Sequence, residues 1–540
     1  MSIVVIFVGI GLSIFSTAIM SYIAMATPIG PWIAPTLVLF SSFIFKIISI
    51  KKDCYNKYIA LATSAGSVGG ILATACAFSY PTIYFLDKST YLAWMASPIY
   101  FIGVLCGLAI SAGFFGLWIA DQIQVPLIDK QKLNFPIGQL LYKMISSQQE
   151  LKKSKNLFVG LASGVVYGIF QDGFIFFRGF LPKTLVLLGK VRLAIFCLSP
   201  IRLTLTIMPM LWAIGFVTGH VIAIPLGVGA LSKILILDPI NSAFFSHIKP
   251  FDFILAFCSG MVVSGAISGF ISTPKALYKT ISKMFSSKKD TGKKINFSLS
   301  TNSIIQGALV FVLIFSFLTY FKFPFLSQIY LIIFTAICAY QIAIISGKIG
   351  LAQLGRFATF VMVPAMFIFK LDFVQLVLIS TFVEIAGGVA TDALFSRKLA
   401  QLLKIKISTV KRYQVVGLLT SAIFIGVVFW LITSFFQLGS PELFAQRAQA
   451  RRLLINCGSF DLYVLAIGFV FGYILKFIKV SPMLVLGGLL MPMDISIGLI
   501  AGGMSTLLFK NKEKIYPFAS GLFAANSLWI LGQAALKLLK

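Results

Sequence analysis

The sequence predicts an all-α polytopic membrane protein of about sixteen transmembrane helices, with internally duplicated halves and broken or re-entrant segments. Three observations carry this. Hydrophobic residues make up 59% of the 540, and the mean hydropathy is +0.97. Only 11% of residues are charged, against about 25% in soluble domains. Apolar runs of roughly 20 residues, the length that crosses a hydrocarbon core of about 30 Å, recur along the whole chain.

The same figures exclude other classes. Too little charge is present to clothe a water-facing surface. The 53 Phe exclude disorder. A net charge of +29 suggests nucleic acid at first sight, but the charges fall at the ends of apolar runs, where they meet lipid headgroups, so no nucleic-acid partner is expected. The seven Cys are dispersed without a CxxC pair and read as small hydrophobes. With only two His, no metal site is expected. No cofactor is expected beyond a proton gradient.

The predicted spans are 3–24, 32–50, 57–80, 95–120, 156–177, 192–218, 221–239, 252–273, 302–321, 326–346, 351–370, 373–395, 413–435, 460–478, 482–508 and 516–537. Spans within 192–239 and 482–508 contain Pro and Gly and read as broken helices. Basic loops follow the second, fourth, eighth and twelfth spans, which places both termini in the cytoplasm. The clusters 178–192, Arg447–Arg452 and Lys510–Lys514 fall on the opposite side and resist that assignment. The Ser-rich basic stretch 276–300 divides an N-terminal half, 1–275, from a C-terminal half, 301–540.

The halves share a signature. Residues 209–231 and 482–504 align at an offset of 273, with Pro209/Pro482, Gly215/Gly488 and Gly229/Gly502 among eight identities. Interrupted apolar segments at corresponding places of two halves point to a transporter's central site. A parallel repeat is expected. Pro209, Gly215, Gly219, Gly387, Gly388, Gly488 and Pro492 are the substrate-lining candidates, because glycines and proline breaks expose backbone groups to a cavity.

Ionisable groups inside apolar spans are costly and usually functional. Glu384, Asp494, Asp172 and His220 are the proton-coupling candidates. Arg202, Lys348 and Arg356 are possible partners. Glu384 and Asp392 lie eight residues apart, just over two turns, and so face one way. Asp392 sits nearer the helix end, where pairing with Arg397 or Lys398 is expected. No metalloprotease, esterase or phosphate-loop motif occurs, so an enzyme is not expected.

Several segments resemble the oligopeptide transporter (OPT) superfamily. The run Asp129–Gln139 contains Leu133, Phe135, Pro136 and Gly138 in the family's L-x-F-P-x-G pattern. Asp392 and Lys398 keep its Asp-x5-Lys spacing. Ser64–Gly70, Pro209–Gly229, Gly350–Gly355 and Pro482–Gly502 follow in order. The fungal and plant NPG and KIPPR motifs are missing, so the resemblance is to bacterial-type members. It implies an OPT-type fold and proton-driven symport of short peptides or peptide-like metal chelates across a bacterial cytoplasmic membrane. Oligomeric state is left open. The rival readings are a flippase or scramblase for lipid-linked substrates, which Arg178, Lys183, Lys190, Arg192 and Arg202 could line, and a membrane-embedded transferase.

Overall fold

The computed structural model describes residues 3–539 except 28–31, 49–51, 134, 147–149, 175–176, 183, 192–200, 207–208, 266, 268–300, 350–351, 441–442, 458–459, 479, 491–492 and 510–511. The expected linker 276–300 and Pro492 thus lie outside the described residues.

In chain order the helices are α1 (Ile3–Ala26), α2 (Ala34–Ile47), α3 (Lys52–Ser79), α4 (Thr82–Leu86), α5 (Lys88–Ala96), α6 (Pro98–Gln124), α7 (Pro136–Ser146), α8 (Glu150–Asp172), α9 (Pro209–Thr218), α10 (His220–Ser232) and α11 (Asp238–Phe244). They continue as α12 (Pro250–Gly265), α13 (Thr301–Tyr320), α14 (Phe325–Ile349), α15 (Leu354–Phe369), α16 (Phe373–Leu402), α17 (Ile407–Phe435), α18 (Gln446–Ile455), α19 (Leu462–Phe477), α20 (Pro482–Leu490), α21 (Met493–Ser505) and α22 (Lys512–Leu539). Among the described residues, seven helical stretches are long and apolar enough to cross a membrane. The shorter apolar helices, α2 and α15 among them, occupy places where the sequence predicts spans.

Two helices form the centre. The apolar window around α3 is entirely enclosed by protein, and that of α16 is 89% enclosed. Small residues allow this. Gly69 of α3 lies against the Ser13 carbonyl of α1, and Ser16 Oγ donates to the Gly66 carbonyl at 2.5 Å. Close backbone approach of this kind is how helices associate where lipid removes the hydrophobic drive between them. Helix α16 starts at a reciprocal cap: Gln375 N–H donates to Asp372 Oδ1 at 2.7 Å, and Asp372 N–H donates to Gln375 Oε1 at 3.1 Å.

One predicted span is corrected. Residues 192–218 are not one helix: among the described residues, 201–206 form a strand and 209–218 form α9. Strands β3 (Thr184–Val191) and β4 (Ile201–Thr206) pair antiparallel, and α9 begins only at Pro209. A smaller hairpin joins β1 (Gly173–Phe174) to β2 (Phe177–Arg178). The run is apolar enough to read as a helix, and composition alone cannot separate the two. A two-stranded sheet has open edges that hydrocarbon cannot satisfy. At membrane depth such a pair is tolerated only where protein covers it; β4 packs against α21, and Lys190 lies on β3. The other interrupted span, 482–508, divides as expected into α20 and α21.

Candidate functional site

Helix α16 carries two buried acids along one side, both bonded to α3. Glu384 and Asp392 are 0% and 2% exposed. Ser67 Oγ donates to Asp392 Oδ2 at 2.7 Å, and Ser79 Oγ donates to Glu384 Oε2. Eight residues at 1.5 Å rise set the two carboxyls about 12 Å apart along the axis. The expectation that both face one way agrees with their sharing α3 as partner.

Around Glu384 the chain assembles a cationic cluster. Arg451 Nη2 lies 2.8 Å from Glu384 Oε1, and Arg451 Nη1 donates to Ser79 Oγ. The Arg447 guanidinium sits 4.2 Å above the Phe78 ring. A Cβ added to Gly355, at the start of α15, would lie 3.4 Å from Arg447 Nη1 and 3.5 Å from Glu384 Oε1. Four helices thus converge on one carboxylate, and a methyl at position 355 would rest in ordinary contact with both charged groups.

Both arginines come from α18, which the sequence reading missed. Ten residues reach about 15 Å, too short for a span. Its Ala448, Leu453 and Leu454 are buried, its start is fixed by Ala445 N–H donating to the Met25 carbonyl at 2.6 Å, and Ser259 Oγ donates to Leu453 O at 2.9 Å. Arg447–Arg452 resisted the loop assignment because this helix is packed inside the protein. Its low hydropathy hid it. A basic cluster on the wrong side of the membrane, together with an unpartnered acid in a span, was the available signal.

The expected pairings are corrected. Glu384 pairs with Arg451. Arg356 Nη1 donates to Gln353 at 3.3 Å, and the side chains of Arg202 and Lys348 lie outside the described residues. Asp392 does not pair with Arg397 or Lys398. Arg397 Nη2 lies 2.6 Å from Asp121 Oδ1 of α6, and Lys398 Nζ donates to Gln401 at 3.2 Å. Asp392 instead lines a void of about 10 Å³ with Ser67, Thr74 and Trp32, which is room for about one water.

Other candidates fall elsewhere. Asp172 ends α8 and accepts from Trp529 Nε1 at 3.1 Å. His220 is the half-buried first residue of α10. Asp494 lies in the first turn of α21, its side chain outside the described residues. Gly387 and Gly388 face Ile342 and Ile71 and serve helix packing. Gly219 separates α9 from α10 at φ +77° and ψ −179°, with open space where a side chain would be. Phe135 and Gly138 dock on α16. The Phe135 ring meets Phe395 edge-on at 5.9 Å, and Gly138 lies against the Phe395 carbonyl and Lys398.

The repeat appears in the contacts. Gly215 packs on the Leu499 carbonyl, and Gly488 packs on that of Leu226. Gly229 meets Val485 O, and Gly502 meets Trp212 O. Moving each residue by 273 exchanges the members of each pair of contacts: 215 becomes 488 as 499 becomes 226, and 229 becomes 502 as 485 becomes 212. A second set extends the relation. Gly160 and Gly521 meet Phe518 O and Leu157 O between α8 and α22, while Gly468 and Gly260 meet Phe257 O and Leu465 O between α19 and α12. The order α8, α9, α10, α12 therefore corresponds to α19, α20, α21, α22. The duplicated units cross through glycines, where helix backbones touch directly.

In comparison with known proteins, the family model described as OPT oligopeptide transporter protein matches residues 1–537. No curated protein matches the chain.

Proposed function

Since the chain belongs to the OPT oligopeptide transporter family, an integral membrane family of transporters, we propose that it imports short oligopeptides or peptide-like metal chelates by proton-coupled symport. The observation that carries this is the Arg451–Glu384 pair at 2.8 Å, buried and bonded to Ser79. A buried ion pair is expensive and loses its balance when either charge is removed. Protonation of Glu384 cancels one charge and leaves Arg451 without its carboxylate. A peptide's C-terminal carboxylate, or a chelate's, then supplies the missing anion. Proton and substrate thereby enter the cycle together, and the original pair is restored once both have left.

Substrate passes, in this reading, beside the break at Gly219 and the one between α20 and α21, with His220 and Asp494 at the starts of the helices that follow. Gly215 and Gly488 keep the broken helices close enough to rock as one unit. Asp392 and its water-sized void offer a second station for the proton on the way to the basic-loop face. Alternating access then moves the duplicated unit α8–α12 with α19–α22 against the α3–α16 core.

The test is reconstituted uptake of a di- to pentapeptide library with and without a pH gradient. Free-carboxylate peptides should accumulate with an inward proton gradient, and C-terminally amidated ones should not. Accumulation that ignores the gradient removes the coupling role, and equal uptake of amidated peptides removes the carboxylate exchange.

A further inference from the structure

Between α6, α13 and α17 lies a cavity of about 820 Å³, away from the Glu384 cluster. Its lining is graded. Asp121, Gln306, Arg397, Ser408, Lys411 and Arg412 surround one end, where the helices meet their basic loops. Phe114, Leu117, Leu309, Leu313, Val415 and Val416 line the remainder. The gradient runs in register on α6 and α13. Phe114 is seven residues from Asp121, and Leu313 is seven from Gln306, so the apolar end lies about 10 Å deeper. The cavity opens toward lipid: Leu309 is 61% exposed and Leu313 is 41% exposed.

The polar end holds three cations and one carboxylate. Asp121 Oδ1 is shared by Arg397 Nη2 at 2.6 Å and Lys411 Nζ at 3.0 Å. Arg412 is exposed. The buried N–H groups of Arg397 Nε and Trp118 Nε1, both on lining residues, have no acceptor among the described residues. A cationic end above an apolar trough fits a molecule with an anionic, oxygen-rich head and hydrocarbon tails. The preceding stretch 276–300 carries Lys288, Lys289, Lys293 and Lys294, so charge disfavours it as the occupant.

We propose that this cavity binds one anionic phospholipid of the leaflet at the basic-loop face, its phosphate held by Lys411 and Arg412 and its acyl chains lying along Leu309, Leu313 and Val415. Such a lipid fastens α13 to α6 and α17. The proposal is independent of what the protein transports.

Native mass spectrometry of the full chain, released from nanodiscs of mixed phosphatidylglycerol and phosphatidylcholine with matched tails, tests it. The wild type should retain phosphatidylglycerol preferentially. Lys411→Gln with Arg412→Gln should lose that preference, at about fivefold per cation. Lys404→Gln with Lys406→Gln, the same charge change on exposed residues outside the lining, should keep it. Arg412→Gln alone, at an exposed site, serves if the double variant unfolds in phosphatidylcholine. Equal retention of both lipids by the wild type overturns the proposal. So does an equal loss in the Lys404/Lys406 control, which would mean diffuse attraction to the basic face.

Discussion

Arg451 reaches Glu384 at 2.8 Å across 67 residues of sequence, and both are buried. Neither residue has a rationale alone. The arginine would be stranded inside a short polar helix, and the glutamate inside an apolar one. Together with Ser79 they form a closed hydrogen-bonded set at the junction of α3, α16 and α18.

Glu384→Gln keeps the shape and removes the charge. Proton-driven accumulation should fall to the background of empty vesicles, while counterflow exchange of preloaded substrate persists. Uptake with an unchanged dependence on the gradient would take Glu384 out of the coupling step.

Arg451→Met leaves a buried carboxylate without its cation. A stability loss of about 3–5 kcal/mol is expected, read as a fall in thermal midpoint in nanodiscs. Adding Glu384→Gln to Arg451→Met should recover most of it. A double variant as unstable as the single one would show that the two charges do not offset each other.

Asp392→Asn can still accept from Ser67 but cannot exchange a proton. The pH profile of uptake should flatten, with little change in stability. Ser67→Ala should do the reverse and cost about 1–3 kcal/mol by leaving a buried carboxyl unsatisfied. An unaltered profile in Asp392→Asn would assign this residue to structure alone.

The glycine crossings predict matched losses. Gly215→Ala and Gly488→Ala each drive a Cβ into a backbone carbonyl, costing about 1–3 kcal/mol. Because the two contacts are related by the repeat, their midpoints should fall by similar amounts. Gly219→Ala meets no neighbour but forces φ +77° with ψ −179° on an alanine, about 1–3 kcal/mol of backbone strain. It should impair uptake more than its stability loss explains. Normal uptake in that variant would move the substrate path elsewhere.

Outside the membrane, Asp87 caps α5. Thr90 N–H donates to it at 3.0 Å, and the hydroxyls of Ser89 and Thr90 donate at 2.6 Å. These bonds, the Ser89 one first, hold its carboxyl down to about 2. A carboxyl lowered on folding stabilises above its ordinary range near 4 and loses that contribution as pH falls from about 4 to 2. Asp87→Ala should cost about 1 kcal/mol or less at neutral pH. The thermal midpoint difference between Asp87→Ala and the wild type should shrink as pH falls from about 4 and be lost below about 2. A difference that survives there would contradict the cap's role.

Most helices were legible because hydrocarbon imposes a length and a composition on any segment crossing it. The interruptions in 209–231 and 482–504 were legible because Pro and Gly mark them. The β3–β4 hairpin was not. Its residues are as apolar as a span, and only pairing between strands distinguishes it. Helix α18 was hidden for the opposite reason: buried by its neighbours, it needs no apolar run of its own.

The sequence by itself determined that this chain lives in a membrane, which residues are costly there, and that 209–231 and 482–504 repeat one pattern. Those properties depend on transfer from water to lipid, residue by residue, and on local pattern. Which cation meets Glu384, that Asp392 turns to Ser67 while Arg397 turns to Asp121, and that the repeats cross glycine on carbonyl were decided only by tertiary structure. A charge inside a bilayer must find a partner, but many partners satisfy that demand equally. The choice among them is made by packing between helices far apart in the chain.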